Sequence, residues 1–299
     1  MESSNEEKKK RFVRMDQVYS SYHDYVCYLG IEQETGLQVF WHEFINDNMP
    51  SSEIEKGFNQ LQKAKMVTSP YLLNILSVWQ TSVPSRFYLI TETTQAPSLY
   101  DYIHSIESSP LPRTLIKWFK LLSLAVQSLH KNGIPHGTIT LHNIFIKTST
   151  GSLKLRLPLT HLSCRAISSA SLNITQYTSP ERLDGTFEPC IDIWSLGICF
   201  LELLTQQPAY SECKTPQELI LAIRSLTPPK SLALVQNKAA QSLIQSCLTP
   251  PNKRPKIDQI LENSIFGELS QTSIQQTHEV DGSIQIILQN DHEDQTPNS

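Results

Sequence analysis

Three histidines, His136, His142 and His161, lie close together in the sequence. Their residue type and spacing make them candidates for a metal-binding or proton-transfer site. Imidazole nitrogens can bind a transition metal or transfer a proton near neutral pH. A metal-binding histidine normally donates its second N–H to a carboxylate, a carbonyl or water, and no Asp or Glu occurs between Ser108 and Pro180. We therefore interpret the three histidines as structural, with chemistry at a metal site built from them as an alternative.

The composition of the stretch from Ser108 to Pro180 also argues against binding of a divalent metal. Its 73 residues contain no Asp or Glu but eight Lys and Arg residues. Mg²⁺ prefers carboxylate oxygen ligands, and neighbouring positive side chains repel it. The stretch is therefore predicted to hold no metal ion.

Counting residues excludes several classes of function. Among the 299 residues there are only 10 glycines; no two of them are separated by a single residue, and none precedes a lysine. The dinucleotide fingerprint and the P-loop both need such pairs. The net charge of −4 argues against a broad basic face for nucleic acid, and no apolar run is long enough to span a membrane. The six cysteines show no paired spacing and are predicted to be reduced thiols.

The elements that must position any site fall into two groups. The first group is a hairpin with its turn at Gly36, a helix at 51–65 that begins with a capping box, and two short strands near 73–79 and 87–91. The second group, after residue 97, is mainly helical, with helices predicted at 112–130, 192–204, 216–225, 238–247 and 257–264 and short strands at 143–146 and 153–156. A small sheet with one helix, followed by a larger helical part, indicates an α+β arrangement with a cleft between two lobes.

Motifs in the second group resemble a known family. Ser179-Pro180-Glu181 is followed by the run DIWSLG from Asp192, residues 247–255 read CLTPPNKRP, and residues 136–143 read HGTITLHN. Their order and spacing resemble the protein kinase domain over about residues 18–266. The spellings VFWHEF, HGTITLHNIFI and CLTPPNKRP are similar in particular to the nuclear receptor-binding proteins, which are related to the with-no-lysine kinases. The resemblance implies a two-lobed, protein kinase-like fold.

The resemblance also implies where the phosphoryl-transfer groups would lie. Protein kinases use a lysine, a glutamate that holds it, a catalytic aspartate and a metal-binding aspartate. The corresponding positions here are His42, Gln60, Thr138 and Leu157, and only Asn143 is retained of the polar machinery. With the stretch that lacks acids, these substitutions predict that the chain is not an enzyme but a pseudokinase without metal or cofactor.

The nucleotide pocket is expected to be filled by aromatic rings. Phe40 stands where kinases place a small residue above the adenine, and Phe145 would lie on the floor of the same slot. We expect the two rings to pack together and the pocket not to bind ATP; an open slot with Phe40 turned aside is the alternative. Thr91 takes the gatekeeper position, and Glu92 begins the hinge between the lobes.

Residues that hold a kinase fold together are retained. The resemblance implies that Glu181 and Arg254 form a buried ion pair that anchors the activation segment. It also implies that Asp192 accepts hydrogen bonds from the backbone near His136. Ser and Thr residues between 160 and 175 offer a further alternative, phosphorylation by another kinase with Arg156 and a nearby arginine as phosphate partners.

Four segments are predicted along the chain. They are a disordered N-terminal segment at 1–17, an N-lobe at 18–95, a C-lobe at 96–268 and an acidic, mostly disordered tail at 269–299. The predicted function is an inactive scaffold or adaptor in signalling, trafficking or ubiquitin-ligase assemblies, with other proteins as partners. A nucleotide-sensing switch or a weakly active, atypical Ser/Thr protein kinase is the alternative. The expected location is cytoplasmic, and the basic run at 8–11 leaves nuclear access open.

Overall fold

The N-terminal lobe is a five-stranded antiparallel sheet with one helix. A computed structural model describes residues 11–21, 25–45, 51–81, 86–157 and 174–267. The sheet has the order β1-β2-β3-β5-β4, and its strands are β1 Phe12–Ser21, β2 Tyr25–Glu32, β3 Gln38–Ile45, β4 Ile75–Thr81 and β5 Arg86–Glu92. Helix α1, Ser51–Lys65, buries Leu61 and Ala64 completely and packs beside β4. The predicted hairpin, helix and strands of this lobe are all present.

Strand β1 starts ahead of the predicted boundary between the N-terminal segment and the lobe at residue 18. Residues 12–17 belong to β1, and the side chain of Phe12 is only 1% exposed. Phe12 packs with Val39, Trp41 and Trp79 on one face of the sheet. This apolar contact explains why the strand extends further toward the N-terminus than the polar neighbouring sequence indicates.

The C-terminal lobe is mainly helical and is organised around one buried helix. Its helices are α2 Leu99–Ser105, α3 Pro112–His130, α4 Pro180–Leu183, α5 Cys190–Thr205, α6 Pro216–Arg224, α7 Lys238–Cys247 and α8 Ile257–Leu261. Helix α5 is buried along almost its whole length, and the ring of Phe200 stacks on Phe119 of α3 with centroids 4.0 Å apart. Helix α7 packs so close to α5 that a Cβ atom on Gly197 would lie 2.6 Å from Cβ of Cys247.

A small hairpin joins the two lobes. Strands β6 Ile144–Lys147 and β7 Ser152–Leu155 pair with each other, and β7 also exchanges hydrogen bonds with the N-lobe. The Leu73 amide donates to the Leu155 carbonyl at 2.9 Å, and the Leu155 amide donates to the Tyr71 carbonyl at 2.8 Å. The cleft lies between the sheet of the first lobe and this hairpin. The two-lobed α+β fold expected from the sequence is thereby confirmed.

Two further expectations concern the described residues as a whole. No helix within them is long and apolar enough to cross a membrane. The five cysteines that lie in this part of the chain, Cys27, Cys190, Cys199, Cys213 and Cys247, are free thiols. The predicted tail at 269–299, the predicted phosphorylation sites at 160–171 and His161 lie outside the described residues.

Candidate functional site: the cleft between the lobes

Asp192 fixes the backbone of the loop that forms the cleft floor. Its side chain is fully buried at the start of α5. It accepts hydrogen bonds from the backbone amides of His136 and Gly137 at 2.7 and 2.6 Å and lies 2.7 Å from Nε2 of His130. Gly137 has a φ of 77°, a left-handed conformation that favours glycine. A buried carboxylate thus holds the 136–143 loop in place.

His136 contributes structure to this loop and does not offer a free ring nitrogen. Its Nδ1 accepts a hydrogen bond from the Thr138 amide at 3.2 Å, so Nε2 carries the proton and donates to the Arg156 carbonyl at 2.7 Å. Burial lowers the pKa of His136. Within the described residues, no group of three His, Cys, Asp or Glu side chains could hold a metal ion. This geometry supports the structural interpretation of His136.

Thr138 and Asn143 meet on the cleft floor. Nδ2 of Asn143 donates to the Thr138 carbonyl at 2.9 Å, and the Asn143 carbonyl accepts from the Arg156 amide at 2.8 Å. Oδ1 of Asn143 and the Thr138 hydroxyl are the neutral oxygen donors of this corner, and Leu157, the residue after Arg156, is 2% exposed and apolar. Mg²⁺ is normally held by carboxylates. The described residues of this corner therefore do not fit a Mg²⁺ ion.

His42 occupies the N-lobe wall as a neutral side chain. It lies on β3, it is 4% exposed, and its Nε2 is 3.2 Å from the Thr91 hydroxyl. Burial lowers its pKa to about 3, and the positive charge of Arg156 acts in the same direction. His42 therefore supplies no cation at physiological pH. The side chain of Gln60, in the middle of α1, lies outside the described part of the structure.

Phe40 and Phe145 are both buried in the cleft but take separate partners. The Phe40 ring lies against Tyr19 of β1, with centroids 4.6 Å apart. The Phe145 ring is covered by the Arg156 guanidinium, whose carbon is 4.8 Å from the ring centroid. Among the described aromatic side chains, Phe40 and Phe145 do not form the ring–ring contact that we expected. The physical reason is that the negative face of the Phe145 ring attracts a cation, which takes the place of the second ring.

Glu92 at the start of the hinge is engaged in joining the lobes. Its carboxylate accepts from the amide and Nδ2 of Asn74, at 3.4 and 3.2 Å, and forms an ion pair with Lys154 of β7. Thr91, the neighbouring residue, is 5% exposed and faces His42. The hinge is thus held to both lobes through one carboxylate.

Glu181 and Arg254 form a buried ion pair behind the cleft. The Arg254 side chain is 1% exposed and the Glu181 side chain 11%. Both terminal guanidinium nitrogens of Arg254 contact the Glu181 carboxylate, and they also donate to the carbonyls of Cys190 and Thr249 at 2.7 and 2.9 Å. The pair ties the start of α4 to the start of α5 and to the loop before α8.

The sequence analysis did not place two residues, Tyr19 and Arg156, in the cleft. Tyr19 covers Phe40, and its position on the first strand of a protein kinase-like fold could have indicated this. Arg156 was considered as a partner of phosphorylated side chains and as one of the positive residues that repel a divalent ion, but not as a residue of the nucleotide pocket. Its place directly before Leu157, the position at which kinases carry a metal-binding aspartate, was the available signal.

Residues 25–266 match the family described as protein kinase domain. The chain belongs to the protein kinase domain family. It is 25% identical over 264 residues to the serine/threonine-protein kinase Wnk of Drosophila melanogaster, which covers 86% of this chain and 11% of that protein. It is 23% identical over 261 residues to the serine/threonine-protein kinase WNK4 of Rattus norvegicus, covering 85% of this chain and 21% of the relative. The probable serine/threonine-protein kinase WNK5 of Oryza sativa subsp. japonica is 24% identical over 247 residues, which are 80% of this chain and 75% of the relative.

These comparisons correct the prediction that the chain is not an enzyme. The matching family is that of protein kinase domains, and the relatives are named as serine/threonine-protein kinases, which points to an enzyme. The relationship to protein kinases also does not support the expectation that the pocket does not bind ATP. The prediction failed because it inferred the overall function from single aligned positions. The scaffold role and the relationship to the family of nuclear receptor-binding proteins stay predictions.

Proposed function

We propose that this chain is an atypical protein kinase domain that senses a nucleotide between its lobes and transfers phosphate slowly to Ser or Thr hydroxyls of proteins. The observation that carries the proposal is the match of residues 25–266 to the protein kinase domain family. Its relatives include proteins named serine/threonine-protein kinases, which supports protein hydroxyls as acceptors. The cleft described above is the site that the proposal concerns.

The slow rate follows from the polar groups of the cleft floor. Thr138 and Asn143 are neutral. The carboxylate that contacts this loop, that of Asp192, is buried and accepts hydrogen bonds from the amides of His136 and Gly137, so it is not placed to take the proton of the acceptor hydroxyl. A general base contributes about 10²–10⁴-fold to the rate of such a step. We therefore expect transfer to be slower by about this factor than in a kinase that carries the carboxylate. In the balanced reaction the hydroxyl oxygen bonds to the terminal phosphorus, ADP leaves, and the hydroxyl proton passes to solvent.

The sensing function follows from the position of the cleft. A nucleotide held between Phe40 of the N-lobe and Phe145 of the C-lobe would bind the folded chain and not the unfolded one. At a ligand concentration of 100 times the Kd, such binding stabilises a protein by about 2.7 kcal/mol. For a domain of this size, this corresponds to a rise in Tm of about 5–11 °C.

Two measurements test the proposal on the full chain. Thermal unfolding with millimolar ATP should show the rise in Tm, and transfer of radiolabelled phosphate to a general protein substrate should exceed a no-enzyme background. Chelator and Mn²⁺ arms separate binding from metal-assisted transfer.

Matched variants make the transfer assay specific. Thr138→Asp would supply a carboxylate beside Asn143 and should raise the transfer rate toward the 10²–10⁴-fold limit. Leu221→Ser, on α6, changes a side chain that is 69% exposed and should leave both readouts unchanged. The absence of both a Tm shift and labelled product, in the wild-type chain and in Thr138→Asp, would refute the proposal.

A further inference from the structure

Arg156 is fixed by its backbone in the middle of the cleft. Its amide donates to the Asn143 carbonyl at 2.8 Å, and its carbonyl accepts from Nε2 of His136 at 2.7 Å. His136 is itself held by the buried Asp192. The point at which the Arg156 side chain leaves the backbone is therefore set by the same network that sets the cleft floor.

The guanidinium of Arg156 carries a positive charge into the space between the lobes. It lies over the Phe145 ring, its carbon 4.8 Å from the centroid, and the side chain is half-buried. Across the cleft stands His42, close enough for its titration to respond to the Arg156 charge. Among the described residues, no carboxylate lies within ion-pair distance of the guanidinium, whereas the neighbouring Lys154 is paired with Glu92.

A guanidinium in these surroundings is suited to binding an oxyanion. Arginine is always charged, and its planar fork binds phosphate oxygens through two parallel hydrogen bonds. Partial burial and the absence of a competing carboxylate in the described cleft keep that charge available. The neutral Thr138 and Asn143 do not fit Mg²⁺, as argued above, so the positive charge of this corner comes from the protein.

We infer that Arg156 contacts the phosphate groups of a nucleoside triphosphate and that this contact takes the place of a divalent cation. The inference rests on the proposed function, because it specifies the charged group of the same cleft. One consequence distinguishes it from metal-assisted binding: Mg²⁺ bound to ATP reduces the charge that Arg156 attracts. Metal-free ATP therefore binds at least as tightly as the magnesium complex.

Titration calorimetry of the full chain tests this inference with three probes: ATP in chelator, adenosine, and inorganic tripolyphosphate. We expect ATP in chelator to bind and added Mg²⁺ to weaken it or leave it unchanged. Adenosine should bind at least tenfold more weakly than ATP. Tripolyphosphate separates recognition of phosphate alone from recognition of the whole nucleotide, and its binding should weaken together with that of ATP in Arg156→Gln.

The variants Arg156→Gln and Arg156→Lys are compared with Lys147→Gln, which removes an exposed charge from the strand that carries Phe145. Arg156→Gln should weaken ATP binding at least tenfold, Arg156→Lys should keep part of the affinity, and Lys147→Gln should keep all of it. Urea unfolding of each variant checks folding, and because His136 and Asn143 contact only the backbone of Arg156, we expect all three to fold.

The outcomes separate this inference from the proposed function. Equal ATP affinity in the wild-type chain and Arg156→Gln overturns the role of Arg156 while the nucleotide-sensing function stands. Tighter binding upon addition of Mg²⁺, or equal binding of adenosine and ATP, overturns the replacement of the metal by Arg156. If none of the three probes binds the wild-type chain, both the inference and the nucleotide-sensing function fail.

Discussion

Replacement of Glu181 by glutamine isolates the energetic role of the buried ion pair. Glu181→Gln keeps the shape of the side chain but removes its charge. Arg254 then stays almost fully buried and has only neutral acceptors, namely the carbonyls of Cys190 and Thr249 and the new side-chain amide oxygen. Loss of one partner of a buried pair costs about 3–5 kcal/mol, because the remaining charge has neither water nor a counter-ion. Since the glutamine can still accept one hydrogen bond, we expect the lower end of this range, about 3 kcal/mol.

The structure offers a matched control for this variant at the end of the same short helix. Asp184 accepts a hydrogen bond from Arg224 at 2.9 Å, but the two side chains are 63% and 53% exposed. Water and salt screen such a pair, so Asp184→Asn should change the free energy of unfolding by less than about 1 kcal/mol. Both substitutions replace a carboxylate by an amide, at positions three residues apart, and the two positions differ in burial.

Urea unfolding followed by circular dichroism measures both effects, and thermal scans should show a decrease in Tm of about 6–12 °C for Glu181→Gln, at about 2–4 °C per kcal/mol. The double variant Glu181→Gln/Arg254→Met removes the unpaired charge and should recover part of the loss. Equal destabilisation by Glu181→Gln and Asp184→Asn would refute the reasoning, because burial would then not determine the strength of the pair.

Two further predictions concern His42 and the packing of α5 on α7. The pKa of His42 is lowered from 6.5 to about 3 in the folded chain, so between those pH values only the unfolded chain binds this proton. The free energy of unfolding should therefore fall with decreasing pH, by about 2 kcal/mol between neutral pH and pH 5. His42→Gln should remove this component from the pH dependence of urea unfolding. Parallel pH profiles of the two chains would contradict that assignment. Gly197→Ala should lower the free energy of unfolding by about 1–3 kcal/mol, because the added Cβ would lie 2.6 Å from Cβ of Cys247. The double variant Gly197→Ala/Cys247→Gly should be more stable than Gly197→Ala in the same assay. An unchanged stability of the single variant would show that α7 can move away from α5.

The helices with strong local signals could be predicted from the sequence. The helices at 51–65, 112–130 and 238–247 have the bounds that their apolar spacing and first-turn residues indicate. Pro112 at the first position of α3 is an example, since a proline there loses no helical hydrogen bond. Such signals are local, and they act before any tertiary contact forms.

Two elements were missed, and only one of them depends on tertiary contacts. The first half of β1 is held by the burial of Phe12 against β3 and β4, which no local pattern encodes. Helix α2 was missed although Ser98 caps it by accepting from the Asp101 amide at 3.0 Å, a local signal that was available. In the cleft, the partners of Phe40 and Phe145 could not be predicted, because they depend on where Tyr19 and Arg156 lie in space.

The placement of charge in the C-lobe explains how a kinase fold can be kept while the cleft changes its chemistry. The buried carboxylates Glu181 and Asp192 bind donors of the lobe itself, Arg254 for the first and the amides of the 136–143 loop for the second. Their substitution would destabilise the fold whatever ligand the cleft binds. The cleft floor is under no such constraint: Thr138 and Asn143 need only hydrogen bonds that neutral groups can make. Once Arg156 supplies a positive charge there, a carboxylate beside it would neutralise the site for an anion, so the absence of acids from the described floor and the presence of the arginine reinforce each other.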